Sequence, residues 1–437
     1  MAIAWTTEEI LALAPDANSA KNGQALATSR KWQGLGTNEE VVWGECQGSG
    51  SKPYQTQIDL IETAFKCSCP SRKFPCKHGL ALLLLLVNQS DTFTQNQTPA
   101  WVTDWINSRR QKQAKKAESG KVVDPVAQAK RAAKREANVT AGVQELDYWL
   151  RDLVRQGVAI LPGKDYSFWD TIAARMVDAQ ARLLARQLRQ MSSIPHTGFS
   201  WQERLLVRLG RLHLLIEGFK RLETLAFPTQ ADILTRIDWE FDKQLSGEMN
   251  VRDRWLILGQ HIEEIDGEKD LLEQRTWLWG SESKQAALIL NSTHISQPPD
   301  QSLVPGTSLD AELVFYPSAY PLRAFIKVRH TPPTPFYEMP GDERIITAFT
   351  KYTKALACQP WLEQFPLILK AVIPQRYNNS WVLCDSTHHL LPLSPNFTQG
   401  WQLLALSGGH PLAVFGEWNG RDFLPLSSLT QTQFICF

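Results

Sequence analysis

Twelve residues, Cys67-Ser-Cys69-Pro-Ser-Arg-Lys-Phe-Pro-Cys76-Lys-His78, bring three thiols and an imidazole into two tightly spaced pairs. No other stretch of the chain constrains its chemistry as closely. A structural Zn²⁺ site takes four thiolate or imidazole ligands in a tetrahedron, and this segment supplies that number with no fifth donor beside it. Cys67 and Cys69 are two apart, so on a strand both would leave the same face. Gln57-Ile58-Asp59-Leu60-Ile61 just before them alternates as a strand does. Cys76 and His78 follow Pro75 and open the apolar run Leu80 to Val87, where a helix start would favour thiolate. Pro70 and Pro75 stiffen the loop between the pairs by fixing φ at both ends.

Two other readings compete. The four residues could be unrelated, with their thiols simply buried, but that leaves unexplained why both pairs are bracketed by a strand and a helix start. A Cys67–Cys69 disulfide is disfavoured because extended residues two apart hold their Cα atoms near the upper limit for such a bond.

Cys-x-Cys, six residues, then Cys-x-His, set between a β-hairpin and an apolar helix, resembles the SWIM-type zinc finger, with Cys67, Cys69, Cys76 and His78 on all four ligand positions. The resemblance spans roughly residues 30 to 90. It implies a structural Zn²⁺ module that binds DNA or proteins, and no catalysis by the finger itself. The longer chain is also similar to bacterial SWIM proteins that work beside MoxR-type AAA ATPases and von Willebrand A domain proteins, which implies a protein partner of one of those kinds.

The rest of the chain has room for two or three domains with cores of their own. Cysteines outside the motif, Cys46, Cys358, Cys384 and Cys436, are single and scattered, so a secreted disulfide framework is not expected and a reducing, cytoplasmic setting is. Cys46 reads as a small buried residue rather than a spare ligand. Thr6-Thr7-Glu8-Glu9 ahead of Ile10-Leu11 reads as a capped helix start and not as a secretion signal. The leucine run Leu80 to Val87 is far short of the ~20 residues that span a bilayer, so no membrane contact is expected. With leucines all round it, that helix must be covered on more than one side.

The expected fold is multidomain α+β: an N-terminal zinc-stapled ββα (SWIM) module over 1–94, a basic linker or arm over 95–140, a central helical bundle over 141–227 and a C-terminal mixed α+β region with short strands over 228–437. Strands are expected over Glu40–Trp43 and Tyr54–Ile61, joined by the glycine-containing loop Gly48 to Pro53. Gly48-x-Gly50 lacks the remaining features of a phosphate loop. The arm carries ten Lys and Arg against Asp104, Glu118, Asp124 and Glu136, net +6, and Asp124-Pro125 splits it into two helix-prone pieces with little apolar face. It reads either as a solvated spacer or as a phosphate-contacting arm.

In the bundle, Ile172, Met176, Leu183 and Leu184 share one face and Arg175, Arg182, Arg186 and Arg189 the opposite one. The next helix repeats the pattern, with Arg204, Arg208 and Arg211 opposite Leu205, Leu209, Leu212, Ile216 and Phe219. Such stripes are either solvated or set to grip phosphate. In the C-terminal half, Gln285–Leu290, Ala311–Tyr316, Ala324–Val328, Trp381–Cys384 and Ala413–Phe415 read as strands and Asp342–Ala357 as a helix. Charge divides with this plan: residues 1–227 carry net +8 and the remainder net −7.

No catalytic motif stands out, and the chain is expected not to be an enzyme, with an unrecognised C-terminal site as the alternative. Asp238, Glu240 and Asp242 alternate as an exposed strand face would; Asp266, Glu268 and Asp270 lack calcium-loop spacing; His388, His389 and His410 have no assignable nucleophile. The sixteen Trp, including Trp149, Trp201, Trp255 and Trp381, sit among apolar neighbours and read as core rather than as base-stacking platforms. The expected function is Zn²⁺-dependent binding of nucleic acid, DNA more than RNA and with weak sequence selectivity, through Arg72, Lys73, Lys77, Arg109, Arg110, Lys130, Arg131, Lys134 and Arg135. The alternative is a protein-binding adaptor.

Overall fold

A computed structural model describes residues 6–14, 17–38, 40–47, 52–61, 64–71, 75–94, 98–118, 125–198, 200–238, 249–265, 270–297, 299–430 and 433–437, with side chains at all of these except 8, 9, 12, 17, 111–118, 125–129, 131 and 132. The N-terminal module begins with α1 (Thr7–Ala12) and α2 (Ala17–Leu26). An antiparallel meander follows, in the order β1 (Trp32–Thr37), β2 (Val41–Cys46), β3 (Tyr54–Asp59) and β4 (Ala64–Cys67). It leads into α3 (Lys77–Asn88), whose residues His78 to Leu86 are all buried. The sheet covers one side of this leucine helix and α1 and α2 the other. Each fully buried Leu there contributes roughly 1.5–3 kcal/mol of transfer free energy. Gly79 permits a close approach of helix and sheet: a Cβ there would stand 2.8 Å from the Phe65 ring.

The hairpin expected from sequence is the centre of this meander. The flanking strands β1 and β4 were not legible, since Trp32-Gln-Gly-Leu-Gly-Thr37 carries two glycines and Ala64–Cys67 is only four residues long.

The stretch expected as a linker is helical: α4 (Ala100–Glu118) and α5 (Pro125–Gln156) fall on either side of the Asp124-Pro125 break. The front of α4 is no solvated spacer. Val102 and Ile106 are buried against Val41 and Trp43, on the face of the meander that carries those two side chains. Residue 140 lies in the middle of α5, which enters the bundle through Val139, Val143, Leu146, Leu150 and Leu153, a stripe alternating by four and three. The bundle continues through α6 (Tyr166–Asp178), α7 (Arg182–Met191) and α8 (Trp201–Lys220), and on to α9 (Phe227–Arg236), beyond the boundary expected at 227.

Among the described residues, the C-terminal half holds two antiparallel six-stranded sheets. The first runs β10 (Thr334–Pro335), β8 (Thr307–Phe315), β5 (Asn250–Glu264), β6 (Leu271–Gly280) and β7 (Ala286–His294), with β9 (Ala324–Arg329) also paired to β8. The second runs β13 (Leu390–Pro392), β12 (Ser380–Cys384), β11 (Phe365–Tyr377), β14 (Leu412–Trp418), β15 (Phe423–Leu429) and β16 (Phe434–Cys436). With α10 (Ile345–Cys358) and α11 (Gly400–Ser407), residues of both sheets close over one core, where Leu256, Leu258 and Trp277 meet Phe415 and Leu426. Strands β5 and β11 reach 15 and 13 residues, longer than the short strands expected.

The domains share side chains. Val304 of the C-terminal half packs on the finger core, and Trp361 is buried in the bundle core with its indole N–H donating to the Arg211 carbonyl at 2.9 Å. Beside it, the buried Asp232 accepts from Gln359 Nε2 at 2.8 Å and from the Ala319 amide at 2.9 Å.

Candidate metal centre

Cys67 ends β4, Cys69 lies just past it in a bend, Cys76 occupies the N-cap of α3 and His78 is in its first turn. The thiols therefore do not share a strand face. The chain leaves the sheet between the first two and returns to the helix for the second two. One ligand atom from each of the four residues lies within 4.8 Å of the others. The His78 Nδ1 stands 3.7 Å from Cys67 Sγ and 3.9 Å from Cys76 Sγ. With Zn–S near 2.3 Å and Zn–N near 2.05 Å, a tetrahedral N–S edge is about 3.5 Å, so the cluster fits Zn²⁺ with little movement. Nδ1, rather than Nε2, is the nitrogen that would bind.

Donors ring the sulfurs, and burial opposes them. The Thr56 hydroxyl reaches Cys67 Sγ at 3.2 Å, and the Cys69, Ser71 and Gly79 amides donate to the sulfurs of Cys67, Cys69 and Cys76 respectively. A hydrogen bond from Cys67, with others from His78 and the Gly79 amide, holds the Cys76 thiol down to about 4, against the opposing effect of burial. Cys67 is pushed up as the donor of that bond and by burial, and Cys69 chiefly by burial. The hydrogen bonds thus favour thiolate most at Cys76, at the helix start, and a bound cation would favour it at all three sulfurs. The Tyr54 ring packs on the imidazole at a centroid distance of 5.0 Å. Thr56 and Tyr54 escape a reading of spacing, because only the pairing of β3 with β4, which sets Thr56 opposite Cys67, brings them to the site.

Cys46 is fully buried in the finger core, its thiol pushed up to about 11 by burial, and it is not among the clustered donors. A second group, Asp147, His213 and Glu217, also converges. It is already neutralised: Lys220 Nζ lies 2.8 Å from Asp147 and 2.7 Å from Glu217, and Arg151 is 3.1 Å from Asp147.

The basic residues proposed from sequence are placed unevenly. Lys77 is exposed on the first turn of α3, and Lys130 and Lys134 are exposed on α5. Arg109 lies 3.7 Å from Asp59 and over the Trp105 ring, Arg110 is 2.5 Å from Glu40, and Arg135 donates to the Asp238 carbonyl. Arg72, Lys73 and the side chain of Arg131 lie outside the described residues, as do Glu240, Asp242, Asp266 and Glu268. The arginine stripes divide too. Arg175 pairs with Glu145, Arg189 with Asp170, and Arg204 with Thr197, whereas Arg186, Arg208 and Arg211 turn toward the C-terminal half. His389 Nδ1 meets the Thr387 hydroxyl at 2.8 Å within a turn built on Asp385. Trp255 is fully buried, and Trp149 and Trp201 pack on the bundle core. No helix among the described residues is long and apolar enough to cross a membrane.

The SWIM zinc finger model matches residues 54–86 of this chain, and the model of the SWIM-associated four-helix bundle domain matches residues 134–237. No curated protein and no solved structure matches it. The first match contains all four clustered donors, and the second begins inside α5 and ends just past α9.

Proposed function

We propose that the protein is a non-catalytic adaptor of the cytoplasm, in which Zn²⁺ fixes the finger as a rigid platform for a protein partner. The observation that carries this reading is the engagement of Arg109 and Arg110. The two arginines that would extend a basic surface from the finger instead close on its own carboxylates, Asp59 and Glu40. Residues 1–94 carry eight Lys and Arg against nine Asp and Glu, so the finger offers no net attraction to a polyanion. None of the seven cysteines is in a disulfide, which suits a reducing compartment. The proposed partner is the MoxR-type AAA ATPase or the von Willebrand A domain protein of the same cell. Gel filtration of the purified chain with each purified candidate tests this. A zinc-dependent co-eluting complex is expected, and separate elution of both candidates at micromolar concentrations overturns the reading.

One observation favours a second reading: Lys66, Lys77, Lys130 and Lys134 are exposed and make no ion pair among the described residues. Nucleic-acid binding through them would be electrostatic, with affinity falling steeply between about 50 and 200 mM salt. A gel shift at low salt that vanishes over that range would replace the adaptor reading with this one.

A further inference from the structure

Between the bundle and the C-terminal half lies a cavity of about 120 Å³, lined among others by Arg208, Arg211, Arg236, Glu363 and Trp361. On this measure about 10–15 Å³ is enough to admit a water, so the space takes an anion of several heavy atoms. Its electrostatics are lopsided. Four guanidiniums, those of Arg186, Arg208, Arg211 and Arg236, act on the single carboxylate of Glu363 and outweigh the upward pull of burial to hold it below the usual carboxylate range. The three guanidiniums that line the recess leave it at +2 against Glu363, and Arg186, outside the lining, brings the group to +3.

The pairing inside it is incomplete. Arg208 and Arg236 each reach a different Glu363 oxygen at 3.5 Å, longer than the roughly 2.7–2.9 Å of a charge-assisted hydrogen bond. The Arg211 guanidinium makes no hydrogen bond or ion pair among the described residues, and burial, then its repulsion from Arg208 and Arg236, depresses its affinity for a proton. A folded chain keeps like charges together at such a cost when a ligand supplies the missing counter-charge. The recess is rigid where it matters. Trp361 is anchored in the bundle core and bonded to the Arg211 backbone, and Gln359 and Asp232 tie the same two domains together nearby.

We infer that this cavity binds a diphosphate group. Each guanidinium offers a planar fork of N–H donors that matches phosphate oxygens, and a diphosphate carries about three negative charges near neutral pH, equal to the positive excess of the recess and Arg186 together. A monophosphate leaves part of that excess unmatched, and a lone carboxylate leaves most of it. The evenly spaced phosphates of a duplex do not fit a recess closed at the back by Trp361. Bound there, the group sits on the guanidiniums of α8 and α9 and competes for them with Glu363 of the segment after α10. Free pyrophosphate and the terminus of a nucleoside diphosphate share this chemistry.

The test titrates pyrophosphate, ADP, AMP and orthophosphate into the full-length zinc-loaded protein at low salt, by calorimetry and by thermal shift. Pyrophosphate, ADP or both are expected to bind and raise Tm, with AMP and orthophosphate weaker. ADP binding more tightly than pyrophosphate assigns the site to a nucleotide, and pyrophosphate binding alone assigns it to the free inorganic anion. R211M is expected to weaken binding at least roughly tenfold, the loss of a charge-assisted contact, while leaving the ligand-free Tm equal or higher because it removes a repelled cation. E363Q is expected to do the reverse, lowering the ligand-free Tm and tightening binding. The assignment is overturned if millimolar pyrophosphate and ADP neither bind nor shift Tm, if orthophosphate binds as tightly as they do, or if R211M binds them like the parent protein.

Discussion

The finger and the C-terminal sheets solve one problem in opposite ways: each must fasten a strand to an element that the backbone alone would not hold there. In the finger, β4 and α3 meet at three sulfurs and a nitrogen whose arrangement is completed by a cation from outside the chain. In the C-terminal half, β6 and β14 meet at Arg275 and Glu417, both buried, in a two-pronged pair at 2.8 and 3.0 Å. Trp277 donates to the same carboxylate at 2.7 Å, and Glu273 and Glu263 take up the remaining face of the guanidinium. The first clamp opens when its ligand leaves. The second carries both charges within the fold and stays closed unless one partner is deleted.

The largest effect should come from withdrawing the metal. Structural zinc contributes on the order of 10 kcal/mol to fingers that are unfolded without it, although here the leucine core of α3 retains part of the module. Chelation, or Cys76→Ser, is expected to make residues 1–94 sensitive to limited proteolysis while the bundle and C-terminal sheets stay protected, with elemental analysis reporting about one zinc per chain lost. Equal protection of the module with and without zinc would break the contrast.

Next in size is the internal clamp. Glu417→Gln leaves Arg275 buried against a neutral amide and should cost about 3–5 kcal/mol in denaturant unfolding. Replacing both residues with apolar ones of similar volume should cost far less, and that asymmetry is the signature of a completed pair. A double variant as unstable as the single one would mean that Glu263 and Glu273 matter more than the pair itself.

The two clamps also differ in how far the sequence exposes them. The metal ligands lie within twelve residues, and thiol and imidazole spacing has few other uses, so the site is legible before any fold is known. Arg275 and Glu417 are 142 residues apart, and nothing local to either points to the other. The arginine stripes were half legible: helical periodicity gave the faces, but nothing local could show that Arg208 and Arg211 face Glu363 from another domain. Charge counting does not show the partners of Arg109 and Arg110 for the same reason, because Asp59 and Glu40 precede them by 50 and 70 residues. Strand β5 went unseen because Asn250 to Glu264 mixes charged ends with a buried middle and follows no single period.

A finer comparison lies at two helix starts. Cys76 sits at the N-cap of α3 without capping it through its side chain, and Asp385 accepts the first amide of α10, that of Ile345, at 2.8 Å. Burial alone would raise Asp385, but the Thr387 hydroxyl and the amides of Ile345, His389 and Thr387 bring its carboxyl down to about 2. Its stabilising effect is therefore complete above the ordinary value of 3.8 and fades as pH falls toward 2. Asp385→Asn should cost about 1–3 kcal/mol at neutral pH and flatten the acid limb of the stability profile between pH 4 and 2. An unchanged acid limb would show that the helix start owes nothing to this carboxylate.

The smallest effect sharpens the contrast at the finger's outer edge, where α4 is held by ion pairs that water can reach. Arg110 and Glu40 are both about half exposed, so their attraction is screened and offset by the entropy of fixing two long side chains. Arg109 is better placed, since Asp59 is mostly buried and the guanidinium also lies 5.5 Å over the Trp105 ring. A double-mutant cycle on Arg110 and Glu40 should return a coupling under about 1 kcal/mol that shrinks further in 0.5 M salt. The cycle on Arg109 and Asp59 should give the larger value and keep more of it in salt. If instead Arg110→Ala alone releases α4 to protease, the ion pairs and not the contacts of Val102 and Ile106 hold that helix to the sheet, and the finger would depend on surface charge as well as on its metal.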